Sequence, residues 1–77
     1  MKKWFKVLEV NYIEFTYTDK YTYYTHANYV ESCSVEDLGT GEIINIDRET
    51  TDNRKARVLD MVDTNGLEVG DDFRIEW

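Results

Sequence analysis

The chain has no proline, one cysteine, one histidine and four glycines among its 77 residues. With no proline, no internal repeat and no low-complexity stretch, nothing in it reads as a linker or a tail. Cys33 alone closes no internal disulfide, which excludes a cystine framework and points to a reducing compartment. The single cysteine excludes a cysteine-based zinc site and His26, the only histidine, a histidine-pair metal site. Long apolar runs are missing too. The start is basic at Lys2 and Lys3, but Lys6 and Glu9 interrupt the following residues well before a signal core or a membrane span could form. The expectation is a soluble, unexported, cytoplasmic protein. Basic residues are also scarce: 9 Lys and Arg stand against 16 Asp and Glu, a formal charge of −7 and a pI near 4.5. Such a field repels nucleic acid and anionic membranes, so direct binding to either is not expected.

What is present is enough to fold. The chain is 42% hydrophobic and 14% aromatic, with six tyrosines, well away from the composition of disordered segments. Its length supports one hydrophobic core, so residues 1–77 read as a single domain.

Residues 4–17 are dense in strand formers, and Ile13, Phe15 and Tyr17 alternate with Glu14 and Thr16. The apolar phase of this run changes. Phe5 and Val7 are odd, Leu8, Val10 and Tyr12 even, and Ile13, Phe15 and Tyr17 odd again, so a bulge or strong bend is required. Polar residues 18–20 form a turn, and residues 21–30 read as the return strand of a long hairpin. That turn lacks Asn-Gly or Asp-Gly, which predicts a loop of more than two residues. Residues 34–39, with Ser34 as cap and Gly39 as stop, suit one helical turn. Residues 42–47 read as a third strand and residues 73–77 as the last. Residues 51–64 read as a helix, with Thr51 as cap, Asp52 in the first turn, Val58, Leu59 and Val62 on one face, and Asn65-Gly66 ending it. The strand alternative leaves both faces apolar. The order predicts an α+β fold, an antiparallel-rich sheet of about four strands with one helix on a face; a small all-β barrel is the alternative.

Charge and aromatics are distributed unequally. Residues 1–30 carry four lysines and three acids, net +1, while the remainder carries thirteen acids and five bases, net −8. Nine of the eleven aromatics lie in those first thirty residues, so an aromatic hairpin is joined to an acidic remainder. Carboxylates spread over a surface can occupy a basic groove built for phosphates, although acidity also simply keeps small proteins dispersed. The candidate acidic binding residues are Glu36, Asp37, Glu42, Asp47, Glu49, Asp71 and Asp72. Tyr21, Tyr23 and Tyr24 are the candidate aromatic ones, since tyrosine packs with its ring and still presents a hydroxyl.

Other constellations fail on chemistry. A catalytic triad would need His26, yet Ser32, Cys33 and Ser34 lie six to eight residues further along an apparent strand, roughly 20 Å away. Cys33 reads as a small buried apolar residue. The stretch 61–72 brushes against a calcium loop, but Met61 stands at the first ligand place and Asp72 where a bidentate glutamate is needed. Gly39-Thr40-Gly41 lacks the lysine and spacing of a phosphate loop. Arg48, Arg54, Lys55 and Arg57 are expected to pair with Asp47, Glu49, Asp52 or Asp60. No catalytic residue, cofactor or metal is expected.

The opening residues 4–13, the tyrosine-rich hairpin, the acidic second half and the absence of proline together resemble the small accessory proteins of bacteriophages, among them anti-CRISPR and anti-restriction inhibitors. The resemblance is one of size and composition and transfers no residue role. It implies a non-enzymatic inhibitor, acting in the bacterial cytoplasm, that blocks a host defence or nucleic-acid-handling protein by mimicking nucleic acid. Two alternatives stand beside it. One is an oligomer that sequesters a nucleotide, with tyrosines stacking on the base and Arg54 or Arg57 on the phosphate. The other is a structural subunit joined through an aromatic interface, with a homodimer if the tyrosine strip pairs two copies.

Overall fold

The structure, a computed structural model, describes residues 1–17 and 25–77, with side chains for 1–14 and 28–77. Its elements are β1 (Lys2–Tyr17), β2 (Thr25–Asp37), β3 (Ile43–Asp47), α1 (Asn53–Thr64) and β4 (Asp72–Glu76). They form one four-stranded sheet of order β3-β2-β1-β4 in which every neighbouring pair is antiparallel. The helix packs on one face. The α+β architecture is therefore the one formed, and the sheet stays open at β3 and β4 rather than closing into a barrel.

The phase change along β1 has a geometric origin. Val7 pairs with Val35 and Glu9 with Ser34, so Leu8 is an extra residue that shifts the inward set from odd to even. Phe5 and Val7 therefore share the helix-covered face with Val10. A second irregularity lies on the partner strand: Asn11 pairs with Ser32 and Tyr12 with Val30, leaving Glu31 extra. It realigns β2, so Val30 stays inward while β1 keeps its new phase and Ile13 falls on the open face. The tyrosines at 21, 23 and 24, and the expected hairpin turn, lie outside the described residues.

β2 is longer at its far end than the sequence implies. Residues 34–37 continue the strand, and the turn begins only at Leu38. The expected helical turn at 34–39 is not formed, because Val35 is fully buried opposite Val7. Burial of that side chain and its cross-strand pairing outweigh a serine cap whose turn would bury nothing.

The helix begins one residue later than expected. Asp52, not Thr51, is the cap, its carboxylate accepting from the backbone N–H groups of Arg54 and Lys55 at 2.8 and 3.3 Å. The first turn thus holds no acid. Val58, Leu59 and Val62 are buried against Phe5, Val7, Val30, Cys33, Val35, Ile46 and Phe73. The helix ends as Asn65-Gly66 predicts: Gly66 takes φ +60°, and the N–H groups of Gly66 and Leu67 bond to the carbonyls of Asp63 and Val62.

Candidate acidic protein-binding edge

Three environments hold most of the acids of the second half. The first is buried. Asp37, at the end of β2, is 2% exposed. Its Oδ2 accepts from Lys3 Nζ at 2.9 Å and its Oδ1 from the Gly39 N–H at 2.8 Å, while its backbone carbonyl receives the N–H groups of Thr40 and Gly41. This carboxylate organises the β2–β3 turn, where Gly41 takes φ +80°. The Lys3 hydrogen bond, then the Gly39 one, hold its carboxyl below the usual aspartate range. A depressed folded pKa adds stability above the unfolded value of roughly 3.9, and that stability is lost as pH falls through the folded value. Asp37→Asn should therefore melt below the wild type at neutral pH, and the gap in Tm should close in acid. A gap that stays constant down to about pH 2 would contradict this assignment.

The second environment is a clamp built on Arg48. Its Nε donates to the Val30 carbonyl at 2.7 Å, Nη1 to Asp60 at 3.2 Å and Nη2 to Asp63 at 2.6 Å, and its guanidinium lies 5.5 Å from the Tyr29 ring centre. Asp63 also accepts from the Val30 N–H at 3.2 Å. Arg48 thus ties the β3–α1 connection to the last turn of α1 beside the β2 bulge. Among the described residues Asp60 pairs with Arg48 and not with Arg57 three residues before it, as helical spacing suggested, and Asp63 is a partner the sequence did not indicate. No local spacing links residue 48 to residue 63; only the fold brings them together.

The third environment is the outer edge of the sheet. Glu42 precedes β3, Asp47 ends it, and Glu49 and Asp52 follow. All four are exposed, and among the described residues none has a cation within 4.0 Å. Arg48, next to Asp47, is engaged in its clamp. Asp47 also accepts the Glu49 N–H at 2.9 Å, which fixes the chain as it leaves β3. Glu36 is half-buried on the open face in register with Lys6, Asp72 lies 4.0 Å from Lys6 Nζ, and Asp71 accepts the Glu68 N–H. Of the seven acidic candidates, Glu42, Asp47 and Glu49 flank β3, whereas the carboxylate of Asp52 is committed to capping α1.

The open face beside that edge is polar in the middle, where Asn11 donates to Ser32 and Ser34 to Asn45. It turns apolar at one end, where Trp4 (51% exposed), Leu38 (42%) and Ile43 (62%) lie around Glu36. Cys33 is buried on the other face, and desolvation pushes its thiol up to about 11, so it is a packed thiol rather than a nucleophile. Arg57 shares a shallow hollow with Asp60, Met61 and Ile75, where a carboxylate beside the guanidinium opposes phosphate binding. Among the described residues no group of three or more His, Cys, Asp or Glu could hold a metal ion, and no helix is long and apolar enough to cross a membrane.

No protein-family model matches the chain, and neither a curated protein nor a solved structure does.

Proposed function

We propose that this protein is a non-enzymatic, phage-type inhibitor that engages the basic, nucleic-acid-binding surface of another protein through the acidic edge around β3. The observation that carries this reading is the grouping around β3 of exposed carboxylates without an ion pair among the described residues, Glu42, Asp47 and Glu49, while Arg48, the base within that stretch, is held by Asp60 and Asp63. Glu42 and Asp47 stand at the two ends of a strand, roughly 17 Å apart at the rise of an extended chain. A basic groove that releases counterions to phosphates releases them equally to carboxylates so spaced.

The test is capture from nuclease-treated bacterial lysate on the immobilised protein. The expected result is a nucleic-acid-binding protein that is released by duplex DNA or by about 0.5 M salt. The triple variant Glu42→Lys, Asp47→Lys, Glu49→Lys should lose that capture while keeping the wild-type circular dichroism at the temperature of the assay. Capture of nothing, or capture that survives the triple reversal, rejects the proposal.

A further inference from the structure

One side of the β3 backbone pairs with no described strand. Hydrogen bonds from Asp37 N–H to the Glu42 carbonyl and from Arg48 N–H to the Glu31 carbonyl bracket its pairing with β2. Counting inward by two along the register, Ile44 and Ile46 direct their backbone groups at Val35 and Cys33. Ile43 and Asn45 therefore direct N–H and C=O away from the sheet, and Asp47 directs its N–H the same way. β3 is outermost in the strand order, so no strand among the described residues receives them. Side chains at 43, 45 and 47 all stand on the open face.

We infer that this edge takes up an extended cationic segment of the partner protein as an added antiparallel strand. The inference rests on the function proposed above and names how the partner is held. Main-chain hydrogen bonds supply affinity in such pairing and alternate side chains supply specificity. On the open face the added strand meets Asp47, then Asn45, then Ile43. The matching segment therefore reads basic, polar, apolar at alternate positions, with further bases reaching Glu42 and Glu49. The chemistry argues against two other arrangements. A second copy pairing about Asn45 would bring Glu42 of one edge beside Asp47 and Glu49 of the other at both ends, while Arg48 stays on Asp60 and Asp63. The opposite edge, β4, has its charges already engaged: Asp72 lies 4.0 Å from Lys6 Nζ, Glu76 lies 2.6 Å from the N-terminal amine, and Arg74 lies over the Trp4 ring.

The experiment uses a fluorescent peptide built on Lys-Val-Thr-Val-Val with lysines at both ends, and a twin N-methylated at alternate backbone nitrogens on the pairing side. Anisotropy with the whole protein should give saturable binding to the first peptide. The twin should bind at least about tenfold more weakly, as the loss of one or two backbone hydrogen bonds implies. Asn45→Pro removes an outward N–H at an edge position where proline is tolerated, and should weaken the first peptide similarly. Asn45→Ala, which loses the same side-chain bond to Ser34 but keeps the N–H, should not. Equal binding of the two peptides, or no binding of the first, overturns the added strand. The lysate capture and its charge-reversal control stand or fall separately, so a charge-dependent capture with equal peptide binding rejects only the strand.

Discussion

Phe5→Ala is expected to remove about 3–5 kcal/mol of stability, the largest loss of any single truncation considered for this fold. Phe5 is fully buried at the crossing of three elements. Its ring stacks on Phe73 of β4 at a centroid distance of 5.6 Å and meets Trp77 at 5.3 Å. It also lies in register with Asp37 of β2, on the strand face that α1 covers. The small chain can collapse little around the resulting void, since removal of the ring leaves Phe73 and Trp77 facing each other across it. A domain of this size has a total stability on the order of 5–10 kcal/mol, so the variant should be substantially unfolded by about 37 °C. Urea titration followed by tryptophan fluorescence reads the loss directly, because Trp77 reports on the same cluster. A loss below about 1 kcal/mol would mean that the aromatic stack is not the anchor of β4. Phe5→Leu, which keeps most of the volume, should recover the larger part.

The same cluster illustrates how much of the fold is legible in the residues. Phe5 and Val7 announce a strand by alternation, and the slip to Val10 and Tyr12 announces a bulge, because no flat strand buries both sets on one face. The bulge at Leu8 is where that reasoning puts it. Val58, Leu59 and Val62 mark the helix in the same way, and Asn65-Gly66 marks its end. Legibility fails where tertiary pairing decides. Ser34 and Gly39 carry good helix-boundary chemistry, yet Val35 between them is claimed by Val7 across the sheet. The cap choice between Thr51 and Asp52 rests on one residue of register, and the carboxylate reaches two N–H groups where a hydroxyl would reach fewer.

For the candidate site the sequence indicates the sign of the charge but not its grouping. Thirteen acids after Val30 give no hint that Asp37 is buried on Lys3 and Gly39, nor that Asp60 and Asp63 are consumed by Arg48. Subtraction leaves eight without an ion pair among the described residues, Glu31, Glu36, Glu42, Asp47, Glu49, Asp52, Glu68 and Asp71, and the set at 42, 47 and 49 stands out only because it flanks one strand. Its position on an outer strand comes from the order β3-β2-β1-β4, in which the third strand is added outside the hairpin rather than beside the fourth.

Arg48→Ala tests that subtraction. The substitution deletes hydrogen bonds to Val30, Asp60 and Asp63 and leaves two carboxylates facing each other at the end of α1. Asp63, half-buried and still accepting from Val30 N–H, loses the charge that compensates it. Charge-assisted bonds of this kind, partly open to water, point to a loss of about 1–3 kcal/mol, or a fall in Tm of roughly 5–20 °C. Arg48→Lys should recover less than half, since one ammonium cannot serve a carbonyl and two carboxylates in a fixed fork. Binding should move the other way. With the guanidinium gone the formal charge passes from −7 to −8, and the edge beside Asp47 becomes more negative. At a temperature where the variant is folded, it should therefore hold the cationic peptide at least as tightly as the wild type, and more so at low salt. A variant that is folded by circular dichroism but binds the peptide less well would place Arg48 in the recognition surface itself, and would remove the division between clamp and docking edge on which the proposed function depends.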